Sequence, residues 1–130
     1  MSPAKSRVVI IGGNFAGLGA ASRLSCDHAV TVIDSRADFE WTPNIHEMLS
    51  GVKNRDGVVL PRAECVGRYG HSFVNDVATH IDRDSNTVST EGGLELGYDA
   101  CLIAAGSQRT MFGIEGADKH AVGFRLVDDA

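Results

Sequence analysis

Val8-Val9-Ile10-Ile11 is an unbroken aliphatic run stopped by Gly12-Gly13, and it narrows the folds open to this chain. Residues 7–11 are expected to form a fully buried strand of a parallel sheet, because a half-solvated strand would alternate with polar residues. After the glycines, Phe15, Leu18, Ala21 and Leu24 recur at helical spacing over residues 15–25. A second run, Ala29-Val30-Thr31-Val32-Ile33, then closes on Asp34. A helix between two such strands imposes a right-handed crossover, so the strands should lie parallel and adjacent.

Strand, glycine turn, helix, strand and acid is the order a dinucleotide needs. The turn carries the pyrophosphate to a helix N-terminus, and the acid about 20 residues on reaches a ribose hydroxyl. Asp34 lies 22 positions after Gly12. The usual G-x-G-x-x-G pattern holds here at Gly12 and Gly17, but its second glycine is replaced by Asn14. That glycine normally lets the backbone approach the pyrophosphate without an intervening Cβ. Asn tolerates positive φ better than most residues, which would preserve the turn. A turn of this type that has lost its nucleotide is the alternative reading. Ala16, Gly17, Gly19 and Ala20 are small, as close packing of a helix on a sheet requires.

The chain has 130 residues and a net charge of −5 with no basic cluster, which speaks against nucleic acid and anionic membrane surfaces as partners. Cys26, Cys65 and Cys101 are far apart and form no C-x-x-C pair. Cys65 and Cys101 fit small core positions, and a reducing cytoplasm is the expected setting. No apolar run approaches the ~20 residues that span a bilayer, so no membrane contact is expected from this segment.

Farther on, residues 39–54 are irregular, with a short helix expected through His46, Met48 and Leu49 and ended by Gly51. Pro61 is expected to open another helix reaching Arg68, and Ser72 to Val74 a strand. Val77 to Ile81, Thr87 to Thr90 and Leu94 to Leu96 are separated by turn residues, which predicts a small antiparallel meander. Tyr98 to Gly106 is expected as another buried strand, and residues from Ser107 onward as loop.

Taken together, VVIIGGNFAGL, TVID, FEWTPNIHEMLSG and YDACLIAAGS resemble the FAD domain of two-dinucleotide-binding flavoproteins, the pyridine nucleotide-disulfide oxidoreductase superfamily. Within it they are most similar to type II NADH dehydrogenases and sulfide:quinone oxidoreductases. The resemblance implies an α/β fold: a Rossmann-like βαβ domain with an antiparallel meander, incomplete at its C-terminus. It implies that Gly12, Gly13, Asn14, Phe15, Ala16 and Gly17 lie under the FAD pyrophosphate. Asp34 would hold the adenosine ribose, with Ser35 and Arg36 beside the adenine and backbone groups of Val77 at the adenine edge. Ala104, Ala105 and Gly106 correspond to a second motif, usually Ala-Thr-Gly, so Ala105 lacks a hydroxyl. Thr42 and Pro43 match a segment lying against the isoalloxazine ring.

The resemblance further implies hydride transfer from NAD(P)H to the flavin and onward transfer to a quinone-like or other acceptor. No cysteine pair occupies Trp41 to Ser50, where related disulfide reductases carry theirs, so thiol chemistry is disfavoured. Residues 1–110 are expected to be the N-terminal part of the FAD domain, and 111–130 a linker toward an NAD(P)H-binding domain. NAD(P)H and the acceptor would then bind only through regions outside this chain, and self-association is expected. In the full-length protein a peripheral membrane location is compatible with the family. No residue is expected as a catalytic acid, base or nucleophile, and no metal site is expected. His46 and His71 are read as structural or surface residues, and Asp82, Asp84, Glu91, Asp128 and Asp129 as solvated turns and termini. The competing reading is a nucleotide-binding module, or inactive fragment, of the same fold without redox turnover.

Overall fold

The computed structural model describes residues 4–130, which divide into two compact units. The first holds the chain up to Phe39 together with Leu60–Gly106, and the second holds Glu40–Val59 and Ser107–Ala130.

The first unit is built on a four-stranded parallel sheet. Its strands are Arg7–Ile11 (β1), Ala29–Asp34 (β2), Ser72–Asn75 (β5) and Ala100–Ile103 (β9), in the spatial order β5-β2-β1-β9. In register, Ile10 lies opposite Val32 on one side and Leu102 on the other. Helices Phe15–Ala21 (α1) and Arg62–Gly67 (α3) belong to this unit, as does the antiparallel meander Ala78–Asp82 (β6), Thr87–Thr90 (β7) and Glu95–Gly97 (β8). The short strands Asp38–Glu40 (β3) and Val59–Pro61 (β4), which the sequence pattern does not betray, form a two-stranded sheet.

Alternation along the central strands explains why they carry apolar residues on both faces. Ile10, Val30 and Val32 pack with Ala21 and Val66 of the helices, whereas Val9 and Ile33 pack with Val88 of the meander and Tyr98. Each face of the sheet thus buries its own set of side chains. Burial of a side chain of this size contributes about 1.5–3 kcal/mol.

Four expectations are corrected. The helix expected over residues 15–25 ends at Ala21, and turns carry the chain to β2. Pro61 does not begin the helical conformation. It closes β4 and caps α3 with φ −60° and ψ 123°. The strand β9 is not buried, since Leu102 is 39% and Ile103 66% exposed. It pairs only with β1 among the described residues, so its apolar side chains lack a second neighbour. Residues 7–11 are fully buried only at Val9 and Ile10; Val8 and Ile11 are half-buried, and Arg7 reaches solvent and pairs with Asp99 at 3.1 Å.

The second unit has its own small core of Ile45, Val58 and Val127. Helices His46–Leu49 (α2) and Ala117–His120 (α4) and three single turns of 3-10 helix lie in it, so the expectation of loop from Ser107 onward is corrected at α4 and at the turn Val127–Asp129. Gly51 follows α2 with φ +71°, as the expected helix stop requires. Buried Glu40 accepts the Val127 N–H at 2.9 Å. Asp128 and Asp129 are more than solvated termini. Asp128 pairs with Arg55 at 2.7 Å, and Asp129 accepts the N–H groups of Arg125 and Leu126 at 2.7 Å each.

Candidate functional site

The chain leaves β1 at Gly12, whose N–H donates to the Ile33 carbonyl at 2.8 Å. Gly12 has φ +102°, a conformation that L side chains rarely adopt, and a Cβ there would fall 2.2 Å from the Ala104 carbonyl oxygen. The glycine turn and the Ala104-Ala105-Gly106 segment, 92 residues apart in sequence, are therefore pressed together without intervening side chains. Gly13 is buried against Val32 and the Arg62 side chain. A Cβ on Gly17 would lie 1.8 Å from the Gly12 carbonyl oxygen, so this glycine lets α1 close on the turn.

Asn14 is explained differently from the sequence-based expectation. Its φ is −100° and its ψ −157°, extended backbone open to any residue, so no tolerance of positive φ is needed. The exposed side chain makes no capping hydrogen bond, while its carbonyl accepts the Leu18 N–H at 2.8 Å. Phe15, Ala16 and Gly17 make up the first turn of α1, where a helix directs N–H groups outward. The Phe15 ring packs edge-on to Phe39 with centroids 5.2 Å apart.

Asp34 ends β2 with its side chain 15% exposed. One carboxylate oxygen, Oδ2, accepts the Gly13 N–H at 2.7 Å, and the other, Oδ1, accepts the Arg36 N–H at 2.9 Å. Its backbone carbonyl accepts Asn75 Nδ2 at 3.0 Å and the Asp76 N–H at 3.1 Å. The acid at the end of the second strand is thus built into the glycine turn itself. Ser35 is exposed beside it and Arg36 half-buried.

Sequence reasoning missed Arg62. Its side chain is 5% exposed, its Nε donates to the Gly13 carbonyl at 2.7 Å, and Nη1 lies 3.4 Å from Asp34 Oδ1. No local pattern marks it, because its partners lie 26 to 49 residues earlier in the chain. Val77 is 41% exposed, but both its backbone groups are engaged. Its N–H donates to Asp76 Oδ1 at 2.7 Å and its carbonyl accepts the Glu91 N–H at 2.9 Å. The Thr90 hydroxyl, with the N–H groups of Val77 and Gly92, holds the Asp76 carboxyl below its ordinary value.

Thr42 and Pro43 lie in the second unit, in a 3-10 turn preceded by Trp41, whose indole N–H donates to Asn44 Oδ1 at 2.8 Å. His71 is structural, as expected: it is buried, with Nε2 3.1 Å from both the Ala21 and Leu24 carbonyls. The three cysteines are free thiols, and burial pushes that of Cys101 above its ordinary value. Among the described residues no helix is long and apolar enough to cross a membrane, and no His, Cys, Asp and Glu group of three or more could hold a metal ion.

Comparison with known proteins agrees with this geometry. The family model described as pyridine nucleotide-disulphide oxidoreductase matches residues 6–130. A sulfide-quinone reductase of Aquifex aeolicus is 31% identical over 126 residues, covering 95% of this chain and 29% of that protein. A type II NADH:quinone oxidoreductase of Staphylococcus aureus is 28% identical over 126 residues, covering 93% and 31% respectively. The crystal structure of the sulfide:quinone oxidoreductase from Aquifex aeolicus superposes with a TM-score of 0.83 at 30% identity, over 95% of this chain and 29% of that one. The chain therefore spans about 30% of the length of these relatives. Members of the family are FAD-dependent flavoproteins with a Rossmann-like α/β fold. A parallel sheet, a glycine turn closed by Gly12 and Gly17, and a match over residues 6–130 lead to one assignment: the chain belongs to the pyridine nucleotide-disulphide oxidoreductase family.

Proposed function

We propose that this chain is the FAD-binding portion of an oxidoreductase that carries electrons from NAD(P)H to a quinone-like or other acceptor. The observation that carries the proposal is the backbone contact of Gly12 with Ala104 and Ala105, which a Cβ at residue 12 would prevent. Backbone that close and bare of side chains suits a pyrophosphate. Gly12, Gly13, Asn14, Phe15, Ala16 and Gly17 would bind it, and Ala104, Ala105 and Gly106, lying against the turn, would border it. Asp34 would accept from the ribose, and Ser35 and Arg36 would border the adenine. Val77 could read the adenine edge through its N–H only if Asp76 released that group. Thr42 and Pro43 would face the isoalloxazine ring. Bound FAD supplies the redox chemistry between nicotinamide and acceptor, and the protein's part is to bind, orient and exclude water.

Residues 1–110 are read as the N-terminal part of the FAD domain and 111–130 as the link toward a nicotinamide-binding domain. The names of the relatives, a sulfide-quinone reductase and a type II NADH:quinone oxidoreductase, support a quinone as acceptor. Three free thiols support a reducing, cytoplasmic setting, with any membrane contact peripheral and made outside this segment. Exposed Leu102 and Ile103 on β9 support self-association, which light scattering would detect. The reading as a whole is tested by titrating the purified chain with FAD and following flavin absorbance between about 350 and 500 nm. Stoichiometric binding supports it, and a chain that takes up no flavin from excess FAD refutes it.

A further inference from the structure

Two peptides of the site, Gly13 and Arg36, are each gripped from both sides by one ion pair, of buried Arg62 and half-buried Asp34. Asp34 accepts their N–H groups, through Oδ2 at 2.7 Å and Oδ1 at 2.9 Å. Arg62 donates to their carbonyls, through Nε to Gly13 at 2.7 Å and through Nη1 to Arg36. The circuit closes where Arg62 Nη1 lies 3.4 Å from Asp34 Oδ1. Bonding two carbonyls and a carboxylate at once suits the fixed, planar fork of a guanidinium, which an ammonium group does not reproduce. Asp34 Oδ1 thus has two of these partners and Oδ2 one. A carboxylate oxygen has room for about two donors, so Oδ2 keeps one acceptor direction unused by the circuit.

We infer that Arg62 is a positioning residue for adenosine recognition: it turns the Asp34 carboxylate so that Oδ2 offers its remaining lone pair to a ribose 2′-hydroxyl. The inference rests on the reading that Gly12 to Gly17 and Asp34 form the nucleotide site. Arg62 itself is buried beneath the turn and acts through Asp34. Loss of a merely structural arginine would weaken every nucleotide alike. Loss of a positioning arginine weakens the ribose contact in particular.

The test is calorimetric titration of the chain and of Arg62→Lys with ADP and 2′-deoxy-ADP, with thermal melting to confirm folding. ADP is the probe because it carries the diphosphate and adenosine of FAD. The wild-type chain should prefer ADP by roughly tenfold, the order of one hydrogen bond to a charged acceptor. In Arg62→Lys the preference should fall below about twofold, a larger loss for ADP than for its deoxy form. An unchanged ratio in a folded variant overturns the inference, even if both affinities drop. Failure of the wild-type chain to bind ADP or FAD would remove the nucleotide site and the inference together. Should Arg62→Lys not fold, the Arg62 Nε–H resonance of the wild-type chain decides. It should shift on adding ADP and move less with 2′-deoxy-ADP, and equal shifts with both overturn the inference.

Discussion

Replacing Gly17 by alanine tests the claim that the fit of α1 to the turn is set by backbone contact. Propensity alone favours the change, since alanine in a helix interior is about 1 kcal/mol better than glycine. The structure predicts the opposite sign. The new Cβ would stand 1.8 Å from the Gly12 carbonyl oxygen and 2.9 Å from its carbon, where ordinary contact begins at 3.4 Å. Those atoms are backbone in a turn fixed by the Gly12 N–H bond to Ile33, so α1 must shift by more than 1 Å or the turn must open. Overpacking costs typically 1–3 kcal/mol and more where nothing flexible can yield. After the propensity gain, a net loss of about 2 kcal/mol is expected. At this size that lowers Tm by roughly 6–10 °C, read by circular dichroism. Gly19→Ala in the same helix is the control. Nothing lies within 4 Å of its Cβ position, so it should gain up to about 1 kcal/mol. If Gly17→Ala melts at or above the wild-type temperature, or if both variants shift alike, the argument from contact is wrong.

Two further predictions concern neighbouring positions. Asn14→Gly should change stability by less than about 0.5 kcal/mol in urea unfolding, because the cap position is extended and its side chain makes no capping bond; a loss above about 1 kcal/mol would contradict this. Asp76 titrates below its ordinary 3.8 in the folded chain, chiefly through the Thr90 hydroxyl. A depressed folded value means the contribution is complete above 3.8 and is lost as pH falls through the lower folded value. The Tm gap between wild type and Asp76→Asn should therefore narrow from about pH 6 to about pH 2.5, and a constant gap would refute the assignment.

Local order was legible in the residues. β1, β2 and the meander follow from runs and turn residues that act over a few positions. The expected strand Ser72 to Val74 is β5, and the short helix at His46 is α2. Errors arose where a neighbour decides. Whether the apolar strand Ala100–Ile103 is buried depends on what lies beyond it, and an apolar run carries no information about that. The strands β3 and β4 are three residues each, too short for periodicity to show.

For the site, the glycines and Asp34 announce themselves by spacing, because a strand-turn-helix fixes their separation through local geometry. Chain order alone also determines that β1 and β2 are parallel neighbours, since the helix between them leaves no other short path. Tertiary structure alone decided the rest. The Ala104 carbonyl against Gly12 and the Arg62 guanidinium between Gly13, Asp34 and Arg36 join segments 92 and 26 to 49 residues apart. Such contacts depend on how the sheet orders its strands and where α3 packs, and these are set by burial of the whole core rather than by any neighbouring residues.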